Sequence, residues 1–264
     1  KRCPDPADCP AGLPGCPSER VGRIPCQSDD DCEGEQSCGW DGYCEMVVRP
    51  ENWLSVELEQ GVGIVNATGA CSIASQENEG YACFRQSDGQ NYLGNPVYTN
   101  EALAMGPANA RLLVGYERMV FYDTSLALRI GYALWGTGPT LPGAAALFPL
   151  SAELRATHYF GRDPLAHSGL RGYAFVTGGV GSFDTKVQVQ VREDTDHLAP
   201  QGGNDLEQNL DVWKRAGDAC LGLGAGASIA LSPRWALSAE LQIAQAFPYG
   251  ATLLLPRAGI KAGF

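Results

Sequence analysis

Ala258-Gly259-Ile260-Lys261-Ala262-Gly263-Phe264 is the stretch that decides how this chain is read. Successive side chains of an extended strand point to opposite faces. Ala258, Ile260, Ala262 and Phe264 therefore share one face, and Gly259, Lys261 and Gly263 share the other. One face is apolar and ends in an aromatic; the other is small or charged. The sequence stops inside that alternation, which predicts a last strand that closes a sheet rather than the frayed end of a soluble domain.

Working outward, the same texture recurs. Eight segments of ten or so residues alternate and are bounded by turn residues: 53–64, 110–120, 125–135, 150–160, 170–181, 220–231, 235–246 and 252–264. In the first, Leu54, Val56, Leu58, Val62 and Ile64 oppose Ser55, Glu57, Glu59, Gly61 and Gly63. In the third, Leu126, Leu128, Ile130, Tyr132 and Leu134 oppose Ala127, Arg129, Gly131 and Ala133. Links after the second, fourth and sixth segments are short, and those after the first, third and fifth are long; the short link after the seventh breaks the pattern. Residues 51–264 thus read as an eight-stranded antiparallel β-barrel, in an all-β chain whose first 50 residues form a separate small segment. An even strand count places both barrel ends, and residues 1–50, on the short-turn side.

Which face carries charge separates a soluble barrel from a transmembrane one. A soluble up-and-down barrel such as a lipocalin shows polar residues to water and fills its lumen with apolar ones. Here the apolar face is aliphatic and nearly free of charge, Arg118 and His158 near segment ends excepted, and the opposite face mixes charges with glycine and alanine. Trp53, Tyr132, Trp135, Tyr159, Trp235 and Phe264, with Tyr116, Phe121, Tyr122, Phe160 and Trp213, gather toward segment ends like two interfacial girdles. The apolar face is therefore expected outward, in lipid. Glu57, Glu59, Glu117, Glu153 and Glu240 then enter the lumen with Arg111, Arg129, Arg155, Arg171, Arg257 and Lys261. Unpaired charges would be costly there, so a salt-bridge network filling the barrel is expected.

Residues 1–50 hold Cys3, Cys9, Cys16, Cys26, Cys32, Cys38 and Cys44, many prolines and almost no alternation. Such a segment must rely on cross-links rather than a core. The chain has ten cysteines, and the spacing from Cys26 to Cys44 lacks the C-x2-C knuckles of zinc sites, so disulfides in an oxidising compartment are expected and no metal. No leader peptide is visible, which suggests a mature secreted chain from which one was removed. Cys71 and Cys83 suit a local disulfide in the long link 65–109. Cys220 stands alone on the inner face; either a head cysteine reaches it, or both are free or used elsewhere.

At 30 acidic against 19 basic residues, net charge −11, with no basic stripe, a nucleic-acid partner is not expected. No apolar run of about 18 residues exists for a transmembrane helix. Asp29, Asp30 and Asp31, and the loop acids Asp194, Asp196, Asp205, Glu207 and Asp211, offer calcium ligands, but solvated acidic loops are the plainer reading and no cofactor is expected. Lys186–Val191 alternates as the stem of a hairpin above the membrane would. His158, His167 and His197 are the histidines, and none has a serine and carboxylate in a catalytic pattern, so no enzyme is expected.

Taken together, the eight segments, the girdles and terminal Phe264 resemble the small OmpA- or OmpW-like outer-membrane β-barrel proteins of Gram-negative bacteria. The stretch Cys26-Gln-Ser-Asp-Asp-Asp-Cys32 through Gly39-Trp-Asp-Gly-Tyr-Cys44 resembles secreted cysteine-rich modules of myxobacterial surface proteins. The resemblance implies an outer-membrane location with membrane lipid and envelope proteins as partners. Its expected role is an anchor or scaffold, and in myxobacteria such barrels serve the gliding-motility machinery. A porin-like channel with a gated, charged lumen and a lipid-modifying enzyme are the alternatives.

Overall fold

Alternation over residues 52–66 yields a strand whose odd-numbered side chains are buried and whose even-numbered ones face out. In a computed structural model, residues 24–27, 31, 32, 36–38, 42–46, 50–94, 96–136, 138, 149–161, 169–193, 207–232 and 234–264 are described. The elements are β1 (Gln36–Cys38), β2 (Cys44–Met46), β3 (Asn52–Asn66), α1 (Ile73–Asn78), β4 (Tyr81–Arg85), β5 (Pro96–Thr99) and β6 (Leu103–Met119). There follow β7 (Thr124–Trp135), β8 (Leu150–Tyr159), β9 (Gly169–Glu193), β10 (Glu207–Ser232), β11 (Trp235–Phe247) and β12 (Ala251–Gly263).

Two units are distinct, Lys1–Arg49 and Pro50–Phe264. In the first, β1 and β2 pair antiparallel, and Cys26–Cys38 and Cys32–Cys44 are disulfides. Cross-links replace the core that so short a segment cannot build. Cys3, Cys9 and Cys16, like Asp29 and Asp30, lie outside the described residues.

In the second unit, β3, β6, β7, β8, β9, β10, β11 and β12 form one closed antiparallel ring, β12 returning to β3 with Arg257 opposite Glu59. All eight expected segments are strands of this ring, with β9 and β10 running well beyond 170–181 and 220–231. Its outer face is aliphatic: Leu58, Leu154 and Leu223 are 57%, 66% and 65% exposed. The charged face is inside and buried. So continuous an exposed aliphatic wall is stable only in hydrocarbon.

The same strands show where the hydrocarbon ends. Low on β9 and β10, Val176, Val180, Leu221 and Leu223 point out, while Arg171, Tyr173 and Thr177 are buried inside. Higher on the same two strands the pattern inverts: Val187, Val189, Val191, Leu210 and Val212 turn inward, each at most 2% exposed. Gln188, Gln190 and Asp211 now face out. The ladder between the strands is irregular at Arg215, Gly217 and Ala219, between the two regimes. Polar outside and apolar inside is the pattern of a strand in water, so the upper hairpin stands clear of the membrane.

That hairpin, with β4 on the β10 edge and β5 on the β9 edge, roofs the barrel. The link after β3, read from sequence as a loop with a disulfide, instead folds as α1, β4 and β5, since the inward apolar face above the membrane must be covered. Cys71–Cys83 cross-links it, and Ser72 caps α1 by accepting from the Ser75 N–H at 3.2 Å. Val65, Tyr81, Cys83, Val187, Leu210 and Val212 are part of one apolar core in this cap. Leu210→Ala is expected to cost about 2–5 kcal/mol, confined to the cap. Limited proteolysis should then cut 66–103 faster while the heat-modifiable gel mobility of the barrel stays unchanged.

Candidate functional site

Inside the membrane-level ring, neighbouring strands deliver opposite charges to one level because side chains of paired residues share a face. Glu240 of β11 lies opposite Arg257 of β12, Arg257 opposite Glu59 of β3, and Arg129 of β7 opposite Glu153 of β8. Glu240 is the hub. Its carboxylate is 2.8 Å from Arg129, 2.7 Å from Arg155 and 3.5 Å from Arg257, and accepts from the Tyr173 hydroxyl at 3.1 Å. Arg129 also meets Glu57 at 3.0 Å; Arg257 meets Glu59 at 2.6 Å and Glu153 at 2.9 Å. Arg155 lies over the Phe175 ring, 3.5 Å from its centroid.

The inward glycines of β10 make room for these rings. A Cβ on Gly226 would sit 2.7 Å from the Tyr173 ring. Below, Glu117 accepts from Tyr159 at 2.6 Å, from Lys261 at 2.9 Å and from the Ser125 hydroxyl. Arg171 faces inward beside Ser228. The predicted lumen residues Glu57, Glu59, Glu117, Arg129, Glu153, Arg155, Arg171, Glu240, Arg257 and Lys261 are thus all placed inside the ring and buried.

The aromatic girdle needs correction. Tyr132, Trp135, Trp235 and Phe264 face outward, 52–62% exposed. Trp53 and Tyr159 do not: they are 3% and 4% exposed and point inward. Trp53 shares the parity of Glu57, and its indole N–H donates to the Pro50 carbonyl at 3.2 Å. Tyr159 shares the parity of Arg155 and Thr157 and serves the Glu117 cluster. Position near a strand end outweighed parity in the sequence reading, and parity decides. Trp213 lies in the upper hairpin opposite Lys186 and Ala82.

Cys220 is a free, buried thiol at the base of the cap core. Asp211, considered for calcium, instead pairs with Lys186 at 2.6 Å, and Glu207 accepts from Gln190 at 3.1 Å. Asp194, Asp196 and Asp205, with His167 and His197, lie outside the described residues. His158 is outward, and Thr124 Oγ1 (3.4 Å) and Asp123 Oδ2 (3.7 Å) both approach the same ring nitrogen, Nδ1. A nucleophile–base–carboxylate relay uses the two opposite nitrogens.

One titratable group in the cap was not anticipated. Lys214 is 2% exposed, donates to the Glu79 carbonyl and lies 3.9 Å from the centre of the Tyr81 ring. Burial depresses its pKa to about 8, against a smaller opposing effect of Glu79. Because the folded value lies below the unfolded one, folding disfavours its charged form. That cost is fully present below about pH 8 and is relieved as pH rises from there toward the ordinary lysine value. NMR of dimethylated lysines should show Lys214 titrating near 8, and cap resistance to proteolysis should rise over that interval in the native chain but not in Lys214→Met.

No protein-family model and no curated protein matches the chain. Among solved structures it is similar to the N-terminal β-barrel domain of Pseudomonas aeruginosa OprF, at 13% identity and TM-score 0.33, covering 78% of this chain and 96% of that one. Neisserial surface protein A matches at 14% identity and TM-score 0.35, covering 80% and 97%. Ail, the attachment invasion locus protein of Yersinia pestis, matches at 10% identity and TM-score 0.36, covering 82% and 100%. The closed ring of eight strands, its aliphatic wall and its charged interior make residues 50–264 a transmembrane β-barrel of the outer-membrane type.

Proposed function

We propose that this barrel is a non-enzymatic anchor, holding its cap and disulfide-linked head at the outer membrane as a scaffold for protein partners of the cell envelope. The observation that carries the reading is the double closure of the lumen. Ion pairs fill the membrane-level interior, and an apolar core with Leu210, Val212 and Leu253 fully buried lies above them. An eight-stranded ring encloses little more than its own side chains, and an apolar lid adds a second barrier to ions. Binding is then left to the parts outside the membrane. A motility assembly is one envelope complex such an anchor would serve.

The test is co-purification from native membranes in mild detergent, with single-channel recording of the isolated barrel. Stoichiometric envelope proteins and a silent bilayer are the expected results. Steady conductance that changes in Arg155→Ala would favour the channel reading, and altered lipid A after deletion of the gene would favour an enzyme.

A further inference from the structure

The ladder between β3 and β6 ends where the cap begins. Its last rungs are Asn66 opposite Leu103 and the Ala67 N–H donating to the Ala102 carbonyl at 3.0 Å. Beyond them the two chains part. β3 turns away through Gly69, whose φ of +71° glycine adopts without strain. The other chain leads back through Glu101 and Asn100 into β5, which is the terminal strand of its sheet and pairs with β9 alone among the described residues. An open recess of about 340 Å³ lies where β3 has left, lined by Thr68, Gly69 and residues 96–102.

The backbone beside the recess specifies what fits it. The Asn100 N–H donates to the Gln190 carbonyl of β9 at 3.2 Å. A trans peptide sends its C=O and N–H in opposite directions, so the Thr99 carbonyl points away from β9. Thr99 is extended, which turns its own N–H the same way. A strand residue thus presents both ladder groups on the edge that lines the recess. The chain leading into this edge and forming it is apolar yet stands above the membrane: Leu93, Val97 and Tyr98 are 85%, 65% and 59% exposed. Free edges are commonly guarded by charge, proline or cover, and here only Pro96, at the first residue, does so. Unpaired ladder groups flanked by apolar side chains call for another strand. Glu101, exposed on the recess wall, favours a strand that carries a basic residue.

We propose that the free edge of β5 docks an extended segment of an envelope protein, added as a further strand on the line that β3 leaves. The segment completes the ladder at Thr99, lays apolar side chains against Val97 and Tyr98, and sets a basic residue by Glu101. That the partner is an envelope protein rests on the anchor reading above; the edge itself does not.

The probe is a fluorescein-labelled peptide, Lys-Thr-Val-Thr-Val-Thr-Lys, added to the full chain refolded in detergent and followed by anisotropy. It should bind saturably, and the same peptide N-methylated at every amide should bind at least tenfold more weakly. Thr99→Pro removes the N–H that faces the recess and none that serves β9, a place where a strand tolerates proline. It should weaken binding of the unmethylated peptide about tenfold, the effect of one lost ladder bond. Heat-modifiable mobility and resistance of the cap to proteolysis report that the variant is folded; should it not fold, Val97→Lys takes its place with the same expectation. No binding of the peptide, equal binding of its N-methylated form, or undiminished binding to the folded variant would overturn the proposal. So would a dimer of the native chain that Thr99→Pro dissolves, which would give the edge to a second copy. Co-purification separates this proposal from the anchor reading. Envelope proteins retained equally by the native chain and by Thr99→Pro would overturn the docking site alone. Their absence from both would overturn the anchor reading and with it the envelope partner, and peptide binding would still decide the edge.

Discussion

Glu240→Ala is expected to destabilise the barrel by about 3–5 kcal/mol, the usual cost of removing one partner from a buried ionic cluster. Glu240 is the meeting point of Arg129, Arg155 and Arg257, and its loss leaves three guanidiniums closing on one another with less than their compensating charge. The sequence places five acids and six bases in the lumen, so the deletion deepens an existing excess of positive charge. Urea titration in detergent, followed by the heat-modifiable band on a gel, gives the difference. Glu240→Leu combined with Arg155→Leu should recover much of the loss. Arg155 has Glu240 as its close carboxylate partner, at 2.7 Å, and the aliphatic pair would rest against Phe175 and Tyr173. A single variant as costly as the double would mean that the network is not coupled through Glu240.

The second large effect concerns the wall. Leu223→Arg, on the aliphatic face of β10, should cost about 2–4 kcal/mol near the middle of the bilayer. Gln188→Arg, outward on β9 above the inversion of polarity, should be nearly neutral, since water solvates it. Folding yields of the two variants into vesicles, titrated with urea, make the comparison. Equal costs would place the upper hairpin in lipid as well.

Much of this was legible from alternation alone. Strict period-two patterns in 53–64 and 125–135 fixed which side chains enter the lumen, because a strand offers no third direction. What escaped did so for identifiable reasons. Residue type and end position point Trp53 and Tyr159 to the girdle, whereas their parity with Glu57 and Arg155 points inward. The cap strands are too short to show a period in sequence: β4 is five residues and β5 four. The signal that could have found the cap was the inverted alternation itself, Val187, Val189 and Val191 continuing the parity of Arg171 and Tyr173 with opposite polarity. The long-range pairing of Glu240 with three arginines depends on how the ring closes.

The inversion along β9 also makes the protein a ruler. Its lipid-facing run extends from Leu170 to Val180, and at about 3.3 Å per residue with a tilt of about 40° this spans roughly 25 Å along the bilayer normal. A thicker membrane would press hydrocarbon against Gln188 and Asp211, and a thinner one would expose Val180 to water. Mismatch of either kind has a graded cost. The point where polarity changes sides therefore selects the thin bilayer in which the barrel is at rest, and it holds the cap at a fixed height above that surface.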